Sequence, residues 1–98
     1  MKKYQIHISP FAYNEILEAV LFVKRVNVDA AKELYKEIME SLYSLQEYPY
    51  RYVVEKEYTV AKEEERKILI NKGRYMALYT VIDNDVYIDR FIDNRRNK

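Results

Sequence analysis

Basic side chains are the main chemical resource in the last third of this sequence. Arg66 and Lys67 lead into an apolar stretch, Lys72 and Arg74 flank a turn at Gly73, and Arg90, Arg95 and Arg96 close the chain. Antiparallel strands would gather several of these at one end of a sheet. There they could bind phosphates, stabilise a charged phosphorane or activate a 2′-hydroxyl. The same charges also suit a solvated rim, partly neutralised by Asp89 and Asp93. Other chemistries are poorly supplied. His7 is the single histidine, and it sits opposite the apolar face of its strand. No Ser-His-Asp or Cys-His set can be assembled, and no histidine–carboxylate spacing suggests zinc. One glycine, Gly73, cannot make a phosphate-binding glycine loop. Asp83-Asn84-Asp85 opens like a calcium loop but lacks its glycine and distal glutamate, so it reads as a hairpin turn. No metal and no cofactor is expected.

The elements that must position these cations are strands. Ile68 and Ile70 alternate with Leu69 and Asn71, Tyr75 to Ile82 is almost wholly apolar and rich in β-formers, and Val86-Tyr87-Ile88 resumes the pattern after the turn. Strands apolar on both faces need a cover on each side. One cover is the preceding chain. Tyr4, Ile6 and Ile8 alternate as a half-buried strand, and Ser9-Pro10 then starts a helix, with Ser as N-cap and Pro at the first position. Tyr13, Ile16, Leu17, Val20 and Leu21 form its apolar stripe, with Asn14, Glu15 and Glu18 on the other side. Val26-Asn27-Val28 breaks it, and a second helix runs from an Asn27 N-cap, with Asp29 in its first turn, to a stop before Pro49. Ala31, Leu34, Tyr35, Ile38, Leu42 and Leu45 are its apolar face, with Glu33, Glu37 and Glu40 toward solvent. Between Tyr50 and Glu65, Tyr52-Val53-Val54 suits a short strand and Lys62-Glu63-Glu64-Glu65 a solvated loop.

The fold predicted is α+β, a single domain over residues 1–98: an N-terminal strand, an antiparallel αα-hairpin, then a three-stranded antiparallel meander, forming one sheet packed on the helices. Ile16, Leu17, Val20, Leu34, Ile38, Leu42, Ile68, Leu78, Val86 and Ile88 should supply most of the core. Net charge is +1, so attraction to nucleic acid must come from a local patch. There is no cysteine for a disulfide or thiolate site, no apolar run long enough to span a membrane, and no signal-peptide pattern. A cytoplasmic setting is expected. Eleven tyrosines and no tryptophan suit half-buried, partner-facing surfaces, or plain core filling.

In order and spacing, the strand before Ser9-Pro10, the αα-hairpin with Ala31 and the Leu45…Pro49 end, the GRYMALYTV strand and the DVYIDRFIDNRR close resemble the RelE/ParE superfamily of bacterial type II (plasmid-stabilisation) toxins. The resemblance covers residues 4 to about 97. It implies a toxin neutralised by a cognate antitoxin whose C-terminal segment wraps over it. Arg74, Tyr75, Tyr79, Tyr87, Arg90, Arg95 and Arg96 are then the expected antitoxin- or target-binding residues. RelE-like members cut messenger RNA in the ribosome, and ParE-like members inhibit DNA gyrase. Lys67 and Arg96 match basic residues of the nuclease pattern and would be catalytic only in a nuclease. Yet Leu69 stands where RelE-like strands place a second lysine, Met76 replaces a central-strand arginine, and no tyrosine follows Arg96. These departures suit the ParE branch, with gyrase as partner. A ribosome-dependent endoribonuclease, with ribosome and mRNA as partners, and a non-toxic protein-binding module of the same fold are the alternatives.

Overall fold

The protein, a computed structural model, is described over residues 3–56 and 64–95. Strand β1 (Gln5–Ile8) leads into helix α1 (Pro10–Lys24), which turns into helix α2 (Val28–Tyr43). Two short 3₁₀ turns, Ser44–Gln46 and Pro49–Arg51, precede strands β2 (Arg66–Ile70), β3 (Tyr75–Ile82) and β4 (Asp85–Asp93).

Both helix starts are set by the side chains their sequences offer. Ser9 Oγ accepts the Ala12 N–H at 3.0 Å, and Pro10 needs no partner for a missing donor. Asn27 Oδ1 accepts the Ala30 N–H at 3.0 Å, while its own N–H closes the end of α1 on Val23 O at 2.9 Å. The sheet order is β1-β4-β3-β2. The expected meander is present, but the sheet is mixed, because β1 lies parallel to β4, with Gln5 to Ile8 beside Asp85 to Ile88. Ser9 N–H donates to Ile88 O at 3.1 Å, which turns the chain off the sheet edge directly into α1.

One face of the sheet carries the helical hairpin. Ile68, Ile70, Tyr75, Ala77, Tyr79, Val86, Ile88 and Phe91 pack there against Ile16, Leu34, Ile38, Leu42 and Leu45. Two expected core residues are displaced. Leu17 and Val20 are only half-buried, and Ala12 and Ala19 take the buried positions on α1 beside Ile16. Alanine has little side chain to hold α1 away from β4, so the helix seats on its small-residue stripe. Leu78 is buried as expected, but on the opposite face, with Met76 and Ile92.

The loop between the helices and β2 departs from its reading in two places. Val54 makes a single antiparallel bridge to Arg66 instead of belonging to a strand. Of the charged run, Lys62 and Glu63 lie outside the described residues; Glu64 is exposed, but Glu65 is half-buried. After β2, Asn71 (φ 56°), Lys72 (φ 56°) and Gly73 (φ 85°) make a left-handed turn, anchored where Glu37 Oε2 accepts the Asn71 N–H at 3.0 Å. Glu37 is thus not merely a solvated helix charge.

Candidate partner face and its charges

The face of the sheet turned away from the helices holds most of the polar side chains of the strands. Side chains alternate along a strand, so Lys67 and Leu69 on β2 share this face with Met76, Leu78 and Thr80 on β3. On β4 a bulge changes the register: Leu78 pairs with Arg90 but Tyr79 pairs with Ile88, so Asp89 is the extra residue. The bulge holds Asp89 on the outer face, where its Oδ2 accepts from Thr80 Oγ1 at 3.1 Å and its carboxyl meets that of Glu65. Burial is the first cause that pushes the Glu65 carboxyl up to about 8, followed by its hydrogen bond to Asp89 and the charge of that neighbour. At neutral pH this pair therefore shares a proton. Nearer β1, His7 stacks on Tyr87 with centroids 4.9 Å apart and donates through Nε2 to Asp85 Oδ1 at 2.8 Å.

The expected site residues fall into three groups. Lys67 stands on this face, with its Nζ 2.8 Å from Glu55 Oε2. Tyr87 is there too, 38% exposed and available to a partner. Lys67, Leu78 and Arg90 are successive cross-strand neighbours, but Arg90 turns over the edge of β4 to α1. Its Nε and Nη2 grip the Glu15 carboxylate at 3.1 and 2.8 Å, and its guanidinium lies 5.1 Å from the Phe11 ring centroid. Glu15 Oε1 also accepts the Phe91 N–H at 2.9 Å, which occupies the β4 edge where β1 has ended. Glu15, read from sequence as solvent-facing, is a structural anchor.

The second group lies at the end of the sheet. Asn94 donates its backbone N–H to Arg74 O and its side-chain amide to Gly73 O, both at 2.9 Å, bringing Arg74 and Arg95 to one end. Arg95 Nε is 3.6 Å from Asp93 Oδ1, and the Arg74 guanidinium lies 5.3 Å from the Tyr75 ring centroid. Arg96 lies outside the described residues.

The third group corrects the reading. Tyr75 and Tyr79 are 1% and 0% exposed and belong to the helix-side core, so neither can face a partner. Tyr75 stacks on Phe91 at 5.2 Å. Tyr79 donates its hydroxyl to Pro49 O at 2.7 Å, and burial pushes its phenol pKa upward. Period-two alternation alone could not choose their face, because β3 is apolar on both.

Sequence reasoning missed Glu15 and Glu55 as partners of Arg90 and Lys67, and the meeting of Glu65 with Asp89. For Glu65 a signal exists, since it continues the Lys67–Leu69 alternation onto the outer face. For Glu15 there is none, because its partner is 75 residues away. With Arg66 3.7 Å from Glu64 added, four of the expected cluster's cations meet a carboxylate: Lys67, Arg90, Arg95 and Arg66. Compensated cations of this kind are poorly arranged to grip a phosphate chain, and they suit contact with a protein surface better.

No protein-family model matches the sequence, and no curated protein matches it. Among solved structures, a chain of the "Chromosomal ParDE TA system from P. aeruginosa" superposes with a TM-score of 0.72, covering 93% of this chain and 96% of that one. The fold is ParE-like. At 14% identity the likeness is one of backbone architecture, end to end. Among the described residues, no helix is long and apolar enough to cross a membrane.

Proposed function

We propose that this chain is the toxin of a type II toxin–antitoxin pair, a ParE-like inhibitor of DNA gyrase that acts in the cytoplasm and is neutralised by a cognate antitoxin. The observation that carries the reading is the ParE-like fold, shared with a chain of a ParDE system over 93% of the length. Gyrase over RNA is favoured by the charges. Lys67 and Arg90, the two cations on the Leu78 row, are held by Glu55 and Glu15 instead of standing open to phosphates. An inhibitor needs a complementary surface and no proton transfer, and Tyr87 and Arg95 are exposed for such contacts.

One observation speaks for ribosome-dependent mRNA cleavage as a second reading. Glu65, protonated near neutrality, and Lys67 are two residues apart on one face, an acid beside a cation. Two assays separate the readings. Purified gyrase should lose supercoiling activity when the protein is added, and translated messages should stay intact by primer extension. Ribosome-dependent cuts that vanish in Lys67→Ala and Glu65→Gln, with supercoiling untouched, would replace the inhibitor by the nuclease. Silence in both assays would leave a binding module of this fold. Co-purification with the product of the adjacent reading frame tests the antitoxin separately.

A further inference from the structure

Residues 53–55 are seated on the edge of β2 by a short set of contacts. Glu55 N–H donates to Glu65 O at 2.6 Å and Lys67 N–H to Val53 O at 3.1 Å, on either side of the Val54–Arg66 bridge. Side chains on the outer face add two ties. Lys67 Nζ lies 2.8 Å from Glu55 Oε2, and the Glu65 side chain reaches across β3 to Asp89 on β4. Asp89 is fixed for that contact by the bulge and by Thr80, whose Oγ1 donates to Asp89 Oδ2 at 3.1 Å. One oxygen of the Glu65 carboxyl, Oε2, is sealed from solvent. A carboxyl placed there, against a second carboxyl, carries a full charge only at high cost. The cations of the same strands are engaged elsewhere. Lys67 is held by Glu55, and Arg90 is turned to Glu15. Arg66 is held by the Tyr50 and Tyr52 carbonyls at 3.3 and 2.7 Å, with Glu64 at 3.7 Å. Farther along the face, His7 and Asp85 bond each other beside Tyr87.

We infer that the Glu65–Asp89 carboxyl pair is a proton-operated clasp, which keeps residues 53–55 seated on β2 while it holds one proton and loosens them when the proton leaves. The direction follows from linkage. With the clasp closed, Glu65 keeps its proton up to about 8, whereas in water it would release it near the ordinary 4.5. Each pH unit between those values therefore favours the open form by about tenfold, and above the upper value the bias stops growing. The row also supplies a route from the proton to the backbone. Once both carboxyls are ionised, Lys67, two residues from Glu65 on the same face, can turn from Glu55 to the new charge. That exchange unties Glu55, so a proton lost over β4 loosens the segment bonded to β2. The clasp sets how much of the β2 edge beside Lys67 lies open, and it does not depend on which target the protein inhibits.

Amide hydrogen exchange of the full chain, followed by NMR, tests the clasp, with each rate divided by its intrinsic base-catalysed value. The Glu55 and Lys67 amides should lose about tenfold in protection per pH unit from about pH 5 to 8, then level off. About 0.5 M urea should leave that loss unmoved, as for a local opening, whereas the buried Ala77 amide should respond to it. Glu65→Gln and Asp89→Asn should each hold their protection across the range, because either leaves one carboxylate with a side-chain amide to bond it. One of the two suffices if the other fails to fold. A titration of the carboxyl carbon signals gives a separate readout of the proton itself. Glu65 titrating near 4.5 would overturn the inference. So would flat protection in the wild type while Glu65 titrates near 8, because the shared proton would then hold nothing in place. A pH-dependent loss that persists in the amide variants would assign the opening to another group and overturn it as well.

Discussion

The two faces of this sheet come from the same strands yet hold together by different means. On the helix side, Tyr75, Tyr79, Ile88 and Phe91 pack with Ile16, Ile38, Leu42 and Leu45 in one apolar cluster. On the other side, among the described residues, only Met76, Leu78 and Ile92 form a buried cluster, and around them stand the Lys67–Glu55 pair, the Glu65–Asp89 pair and the His7–Asp85 contact. The contrast shows that a strand apolar on both faces need not have two cores. One face supplies the stability of the domain, while the other is a narrow apolar strip among polar groups that satisfy each other. The largest test of that contrast is truncation. Ile38→Ala or Leu42→Ala should cost about 2–5 kcal/mol in denaturant unfolding, a large share of the stability of so small a domain. Leu69→Ala on the outer face should stay within about 0.5 kcal/mol, because Leu69 is already 55% exposed. Equal losses on the two faces would break the distinction.

A smaller loss should follow from a single atom on the helix side. Tyr79→Phe keeps the ring but removes the hydroxyl that Pro49 O accepts, in a site where the tyrosine is 0% exposed. Leaving that carbonyl unpaired should cost about 1–3 kcal/mol, read as a lower denaturant midpoint with the slope unchanged. An unshifted midpoint would mean that water replaces the hydroxyl and that this bond does not pin the Pro49 turn to the sheet.

How much of this could be read from the sequence follows from where each signal resides. The helix starts at Ser9-Pro10 and Asn27, the meander, and the buried Ile38 and Leu42 are local or periodic features, and they stand where the pattern puts them. The face of Tyr75 and Tyr79 was not legible, because β3 offers apolar side chains in both directions. The choice is made by what α1 and α2 present, a relation between residues far apart in the chain. The rotation of α1 toward Ala12 and Ala19 escapes a hydrophobicity count for a related reason. Alanine adds little to an apolar stripe but decides how closely a helix can approach a strand. For the basic residues the sequence leaves two outcomes open, a neutralised rim or a cluster, and the ion pairs of Arg66, Lys67, Arg90 and Arg95 speak against the cluster. A bulge at Asp89 and a carboxylate on α1 redistribute it, and neither has a sequence pattern of its own.

The Glu15–Arg90 contact lies between the two regimes, since it ties the outer row to the helical layer. Glu15→Gln should cost about 1 kcal/mol, since the forked ion pair is partly exposed and solvent weakens it. Glu15→Ala should cost more than the glutamine, because it also removes the acceptor of the Phe91 N–H at 2.9 Å. If the alanine and glutamine variants unfold together, the backbone contact contributes nothing measurable, and the pair acts through charge alone.

The last effect comes from the outer face and is visible only as a pH dependence. Glu65 has its folded pKa raised to about 8 from an ordinary 4.5, so the folded chain holds a proton that the unfolded chain releases between those values. The proton's contribution to stability is fully present below about 4.5 and is lost as pH rises to about 8, where both states are ionised and the slope ends. Over that window the unfolding free energy should decline with pH, on top of the contribution of other groups. Glu65→Gln keeps a hydrogen-bonding side chain beside Asp89 without a proton to lose, so its curve should be flatter from pH 5 to 8 and cross above wild type near the upper end. The helix-side variant Ile38→Ala should instead lower the curve by the same amount at every pH. If Glu65→Gln left the wild-type slope intact, the two carboxyls would not share a proton. The outer face would then be held by its other pairs, Lys67–Glu55 and His7–Asp85.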